Sequence, residues 1–91
     1  MSNTFDMSAI PRLGSRFRFQ WEDAQQSHVL LYPEGMVKLN AAAGEILKRC
    51  DGVRSIGDLV ADLERQFPRA DLTSDVLEFL GDAHEKGWIA F

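Results

Sequence analysis

The amino-acid sequence predicts an α+β fold in which a three-stranded antiparallel meander is followed by three helices. Two observations predict it. Short runs rich in aromatic and β-branched residues, separated by polar loop and turn residues, occupy positions 16–39, which is typical of strands. After position 39 the apolar residues recur every three or four positions, which is typical of helices that bury one face.

The predicted strands follow one another closely. The first covers 16–21, where polar residues alternate strictly with Phe, Phe and Trp. The second is the apolar run 28–32, and a Tyr-Pro-Glu-Gly sequence at 32–35 has the chemistry of a tight turn. The third predicted strand is Met36–Leu39, which therefore forms a hairpin with the second. Residues 88–91 are expected to add a brief strand at the end of the chain.

Three helices are predicted after the meander. Asn40 is a suitable N-cap for the first helix, which extends to position 50. Ser55 opens the second helix in a capping-box sequence, and a proline at position 68 ends it. The third helix begins near position 71 or 73 and continues to position 86, where a glycine follows.

Length and composition indicate one folded domain. The chain has 91 residues, of which 45% are hydrophobic. We expect residues 1–9 to form a flexible N-terminal arm and residues 10–91 to form the domain. The single cysteine, Cys50, excludes an intramolecular disulfide and lies on the apolar face of the first helix. No secretory signal or membrane-spanning stretch is recognisable, so we expect a cytoplasmic protein with no membrane contact.

Residues able to carry catalysis or bind a metal are few and scattered. His28 and His84 are the only histidines, and neither has a second histidine at the spacing of a helical zinc site. Cys50 is expected to be a core residue, and no glycine-rich phosphate-binding loop is present. We therefore predict that the protein is not an enzyme and has no catalytic residue, no metal ligand and no cofactor.

Three strands and three helices in this order predict a winged-helix-like domain, in which the third helix occupies the place of a recognition helix. Charge argues against nucleic-acid binding. Residues 1–50 carry a net charge of +1 and residues 51–91 a net charge of −5. The third helix, 72–86, has four acidic residues and one basic residue, so it would repel the phosphates that it must approach. We therefore expect no nucleic-acid partner.

Two surface features remain, and the residues leave each of them open. The third strand would be the edge of the meander, and such an edge is either blunted, here by Lys38, or used to accept another strand. The third helix carries an apolar arc wider than packing on one side of a core requires. That arc indicates either a deeply buried helix or a helix that lines a binding groove.

The sequence resembles the PqqD family of pyrroloquinoline quinone biosynthesis. The residues that carry the resemblance are Leu31-Tyr32-Pro33-Glu34-Gly35, Leu39-Asn40 leading into Glu45-Ile46-Leu47, Asp51-Gly52, and Asp75-Val76-Leu77-Glu78-Phe79-Leu80 with Gly87 after them. The resemblance extends from about position 11 to the C-terminus. Two positions depart from the family's pattern: Ala42, where Thr or Ser is frequent, and Ala83, where a larger apolar residue is common.

The resemblance implies a winged-helix recognition element for ribosomally synthesised, modified peptides, acting as a peptide chaperone. Its partners would be the precursor peptide and a radical S-adenosylmethionine enzyme that crosslinks a Glu and a Tyr of that peptide. The peptide would lie between the third strand and the third helix. The peptide-binding residues implied in this way are Met36, Val37, Lys38, Leu39, Asp75, Val76, Phe79, Leu80 and Ala83.

An alternative function belongs to a different class. A winged-helix domain with an open edge could serve as a structural or regulatory module that forms a homodimer through that edge. The two functions differ in how they depend on concentration, because a homodimer dissociates on dilution whereas a peptide chaperone requires a second component.

Overall fold

The computed structural model describes residues 6–68 and 70–91, and in this part of the chain the predicted meander and the three helices are present. The strands are β1 (Arg12–Leu13), β2 (Arg18–Glu22), β3 (Ser27–Tyr32), β4 (Gly35–Lys38) and β5 (Ile89–Ala90), and the helices are α1 (Ala41–Lys48), α2 (Ile56–Gln66) and α3 (Thr73–Glu85). The fold class is confirmed. The first strand of the meander begins at Arg18, two residues after the predicted start, and α1 ends at Lys48, two residues before the predicted end.

The central strand of the meander is β3, which pairs antiparallel with β2 on one side and with β4 on the other. Leu30 lies opposite Phe19 of β2 and Val37 of β4. Residues that lie directly opposite each other in a sheet point to the same face, so these three residues share one face. That face packs on the core. The helices therefore cover one face of the sheet.

The core forms where the three helices meet this face. Leu30, Ile56, Leu59 and Leu80 are completely buried at its centre. The buried cluster consists of Leu30, Leu39, Ala43, Ile46, Leu47, Cys50, Ile56, Leu59, Val60, Leu63, Val76, Leu80, Ala83 and Ile89. The expectation that Cys50 is a core residue is confirmed, and burial raises the pKa of its thiol to about 12.

The first helix begins directly where β4 ends. The Asn40 side chain accepts a hydrogen bond from the Ala43 backbone N–H, as predicted for an N-cap. One turn further on, Gly44 packs against His28 of β3, and a side chain at position 44 would lie 2.9 Å from the His28 ring nitrogen. The absence of a side chain there lets α1 lie directly beneath the sheet.

Arg49, at the C-terminal end of α1, links α1 to α2 through side-chain hydrogen bonds. The residue is 6% exposed. Its guanidinium donates to Asp62 Oδ2 at 2.6 Å, to Gln66 Oε1 at 2.7 Å and to Glu45 Oε1 at 2.8 Å. It also donates to the backbone carbonyl of Glu45 at 2.9 Å. Because every partner is an oxygen atom and two of them are carboxylates, the buried charge is compensated.

A second sheet has two strands: the brief strand expected at 88–91 is present as β5, whereas β1 was not predicted. In it β1 pairs antiparallel with β5, so that Leu13 lies opposite Ile89. Just after β1, the Gly14 N–H donates to the Trp88 carbonyl at 2.7 Å. A side chain at position 14 would overlap the carbonyl oxygen of Gly87. This pairing brings the N-terminal segment against the end of the chain.

The segment that precedes β1 lies along the start of α2. The Ile56 N–H donates to the Ala9 carbonyl and the Gly57 N–H donates to the Met7 carbonyl, each at 2.9 Å. These bonds satisfy backbone donors of the first turn of α2, which have no partner within the helix. Residues 1–5 of the predicted flexible arm lie outside the described residues, and the division at position 9 stays a prediction.

Replacing Arg49 by Met should lower the free energy of unfolding by about 2 kcal/mol at neutral pH, because several charge-assisted hydrogen bonds are lost. The Arg49 guanidinium holds the pKa of Glu45 and Asp62 below the ordinary carboxyl values. A lowered carboxyl pKa stabilises the fold above the ordinary pKa, and this stabilisation disappears as the pH falls through the lowered value. The difference between wild type and variant, measured by denaturant titration, should therefore shrink in acid.

The matched control is Arg65→Met. Arg65 also pairs with Asp62, at 2.9 Å, but its side chain is 73% exposed, so its removal should cost well under about 1 kcal/mol. Equal losses for the two variants would contradict the role assigned to Arg49.

Replacing Gly14 by Ala should lower the free energy of unfolding by about 1–3 kcal/mol, because the new methyl group overlaps the Gly87 carbonyl. Gly57→Ala is the control, since a side chain there meets its nearest atom at 3.5 Å, an ordinary contact distance. Thermal unfolding followed by circular dichroism measures both. A Gly14→Ala variant as stable as wild type would show that β1 is not closely fitted to the C-terminal segment.

Candidate site: the free edge of β4 and the groove beside α3

The sheet has two edge strands, β2 and β4, each of which pairs with β3 on one side only, and β4 is the edge strand that the family resemblance implies as the peptide site. The pairing register shows which of its backbone groups are free. The Leu39 N–H donates to the His28 carbonyl at 3.0 Å, so these two residues form a hydrogen-bonded pair. Such pairs alternate along an antiparallel ladder, which makes Val37 and Leu30 the next one. The N–H groups of Met36 and Lys38 therefore point outward, away from β3.

A groove of about 220 Å³ runs between β4 and the C-terminal half of α3. It is lined by Val37, Lys38, Leu39, Asn40, Ala43, Phe79, Asp82, Ala83, Lys86 and Trp88. Its position next to the outward N–H groups means that a strand added to β4 would place alternate side chains over the groove.

The structure brings together five of the nine residues that the family resemblance implies. Val37, Lys38 and Leu39 line the groove from β4, and Phe79 and Ala83 line it from α3. Of these, Ala83 is 1% exposed and forms the floor, whereas Phe79 is half-buried and reaches the surface.

The other four residues lie elsewhere. Leu80 is completely buried in the core and offers no surface to a ligand. Met36 lies opposite Leu31, on the face of the sheet that points away from the helices, and its side chain is 44% exposed. Asp75 and Val76 line a separate cleft near the start of α3.

That cleft has a volume of about 390 Å³ and lies between α1, α2 and α3. Its walls are Ala41, Ala42, Glu45, Ile46, Leu63, Phe67, Leu72, Asp75 and Val76. The groove and the cleft are both lined by α3, the groove by its C-terminal half and the cleft by its N-terminal end. Both also contact the first turn of α1. The domain therefore carries an apolar cleft and, next to β4, a groove whose lining is both apolar and polar.

Five residues of the groove were not predicted: Asn40, Ala43, Asp82, Lys86 and Trp88. Asp82 was visible in the sequence as part of the acidic side of α3, three residues after Phe79. Trp88 could not be placed, because its position depends on Gly87, whose φ of +78° turns the chain back toward α3.

The charges around the groove are unevenly distributed. Asp75, Glu78, Asp82 and Glu85 follow one side of α3 and are exposed to solvent. At the other end of the groove the Lys86 ammonium lies 5.2 Å from the centroid of the Trp88 ring. The described residues include no group of three or more His, Cys, Asp or Glu side chains arranged to hold a metal ion. None of the helices in this described part is long and apolar enough to cross a membrane.

Comparison with known proteins identifies the family. The family model described as Coenzyme PQQ synthesis protein D (PqqD) matches residues 27–89. The chain belongs to the PqqD family. The PqqD-family match includes the meander from β3 onward, all three helices and the start of β5.

Curated relatives of this PqqD-family chain carry the name PqqA binding protein. One from Azotobacter vinelandii is 57% identical over 90 residues, which are 98% of this chain and 97% of the relative. One from Pseudomonas aeruginosa PAO1 is 52% identical over 84 residues, which are 91% of each chain.

A solved structure has the same fold. It is the solution NMR structure of the PqqD truncation of Methylobacterium extorquens PqqCD, described as a functional, stand-alone recognition element for ribosomally synthesised and post-translationally modified peptides. It superposes with a TM-score of 0.77 at 27% identity, covering 98% of this chain and 97% of the other.

Proline substitutions on β4 should separate the two roles of its backbone. Val37→Pro removes an N–H that points toward β3, so it should disrupt the hairpin and unfold the domain. Lys38→Pro removes an N–H that points outward, so the fold should survive while any strand added at this edge loses a hydrogen bond. Circular dichroism reports the folding of both variants.

The control for the charge lost in the second variant is Lys38→Gln, which keeps the N–H. If Lys38→Pro unfolds the domain and Val37→Pro does not, the register of β4 is opposite to the one described.

Proposed function

We propose that this chain is a non-catalytic peptide chaperone of pyrroloquinoline quinone biosynthesis. In this role it binds the precursor peptide PqqA and presents it to the radical S-adenosylmethionine enzyme of the pathway, in the cytoplasm. The relatives named PqqA binding protein and the recognition-element structure support the peptide as ligand. The observation that carries the proposal is the unpaired side of β4 beside a groove that has aliphatic, aromatic and charged residues in its lining.

The edge supplies affinity that does not depend on the peptide's sequence. A peptide that pairs with β4 gives partners to the outward N–H groups of Met36 and Lys38 and to the carbonyl groups on the same side. Because a bound strand alternates its side chains, every second residue of the peptide faces α3.

The groove supplies selectivity for apolar side chains. Val37 and Ala83 form a floor of aliphatic groups, and the Phe79 ring rises beside it. A peptide side chain placed there buries apolar area, which contributes about 25 cal/mol per Å². We include Asp75 and Val76 in the proposed site because their cleft takes up the part of the peptide that extends past the first turn of α1.

Presentation to an enzyme requires no chemistry from this domain. Holding the peptide beside the enzyme raises its effective concentration at the active site, and release needs only reversible binding. The radical enzyme would carry out the crosslinking of Glu and Tyr, since the described residues of this chain offer no metal-binding group and Cys50 is buried with a raised thiol pKa.

A second candidate function uses the same edge. Two copies of the chain could pair through β4, because an unpaired strand accepts an identical strand as readily as a peptide. Sedimentation at several concentrations distinguishes the candidates: a dimer formed through β4 dissociates when PqqA is added, whereas an independent chaperone keeps one mass.

Truncating Phe79 to Ala should weaken PqqA binding about tenfold or more, because it removes an aromatic ring from the lining of the groove. Met36→Ala is the matched control: it removes an exposed apolar side chain from the opposite face and leaves the outward N–H in place. We expect its affinity to stay within about twofold of wild type. Isothermal titration of each variant with synthetic PqqA, after circular dichroism confirms folding, measures the effect.

If Met36→Ala weakens PqqA binding as much as Phe79→Ala does, the peptide binds the outer face of the sheet instead. If wild type binds no PqqA, the proposed function is wrong.

A further inference from the structure

The indole of Trp88 forms the end wall of the groove and is fixed by the backbone on both sides. The Trp88 backbone N–H donates to the Ala83 carbonyl at 2.9 Å, and the Trp88 backbone carbonyl accepts from the Gly14 N–H at 2.7 Å. The ring centroid lies 6.5 Å from that of Phe79. Because these contacts come from α3 and from the N-terminal segment, the ring has a defined place at the groove.

Lys86 lies over this wall. Its ammonium is 5.2 Å from the Trp88 ring centroid, within the range of a cation–π contact. Asp82, one turn earlier on α3, lines the same groove, yet the two side chains do not form an ion pair. The Lys86 ammonium therefore lies at the groove and forms no ion pair with a carboxylate of the described residues.

We infer that Lys86, held on Trp88, is a specificity-determining residue that binds a carboxylate of the peptide. The inference rests on the proposed function and adds the chemistry of one peptide group to it. Lys86 is the residue of α3 that brings an amine to the groove, whereas Lys38 has the same parity on β4 as Met36, so its side chain starts on the face of the sheet that points away from the helices. An acidic group that enters at the Trp88 end meets a cation whose stem is already ordered, which reduces the entropy lost on binding.

The acidic side chains of α3 do not cancel this preference at the Trp88 end. Of the exposed acids on that helix, Asp82 alone lines the groove, and Asp75 lines the separate cleft. The site is therefore polarised along α3, with its cation at the C-terminal end of the helix, where the helix dipole also favours a positive side chain. A bound peptide should place its carboxylate at this end.

Lys86→Met tests the inference, because it removes the charge and keeps an unbranched apolar stem over the indole. Titration with synthetic PqqA should give a dissociation constant about fivefold larger than wild type, with a weaker dependence on salt. Lys48→Met is the control: it makes the same charge change at an exposed position at the end of α1, outside the groove. Lys48→Met should bind as wild type does, and Lys86→Arg should restore most of the affinity.

Variants of PqqA identify the carboxylate. Each Asp or Glu of the peptide is changed to its amide one at a time, and a separate peptide is amidated at its C-terminus. One of these changes should weaken binding to wild type and have no further effect on Lys86→Met. The inference is wrong if Lys86→Met and Lys48→Met lose the same PqqA affinity, or if the effect of every peptide variant is fully additive with that of Lys86→Met. In either case Phe79→Ala still tests whether the peptide occupies the groove. Absence of any PqqA binding to wild type would overturn the proposed function and this inference with it.

Discussion

The direct passage from β4 into α1 at Leu39 and Asn40 determines how the rest of the domain is arranged. Because no loop intervenes, α1 must turn beneath the sheet, where Gly44 lets it lie against His28 of β3. The helix therefore cannot cover the outer edge of β4, which stays unpaired. Arg49 then joins α1 to α2, and α3 closes the core beside that edge. The groove is the space left between a free strand and the last helix.

This arrangement suits a domain that binds and releases a peptide. In the proposed binding mode, backbone groups of β4 would hold an extended segment of almost any sequence, whereas the groove would accept only side chains of fitting shape and charge. The apolar floor at Ala83 and the aromatic walls Phe79 and Trp88 belong to the same packed core that stabilises the fold. A rigid site of this kind needs little reorganisation on binding, so the ordering of the peptide is the main entropic cost.

The sequence was sufficient to predict elements whose signal is local. Asn40 and Ser55 are N-caps as predicted, and the apolar periodicity placed all three helices. The brief strand at the end of the chain was predicted and is β5, but β1 and its pairing with β5 were missed because a two-residue strand has no periodicity and its partner is far away in the chain. Trp88 was absent from the predicted site because its position depends on the turn of the backbone at Gly87. Leu80 was included in the predicted site but is a core residue. The apolar arc of α3 contains both core residues and groove residues, and the sequence does not distinguish them because the difference depends on tertiary packing.

Amide hydrogen exchange along β4 tests the central claim most directly. In the free protein the N–H of Val37 should be protected by its pairing with β3, while those of Met36 and Lys38 exchange quickly. With saturating PqqA, the Met36 and Lys38 amides should slow by about tenfold or more, because each gains a hydrogen-bond partner. If PqqA binds and these two amides exchange as fast as before, the peptide does not add to the edge of β4.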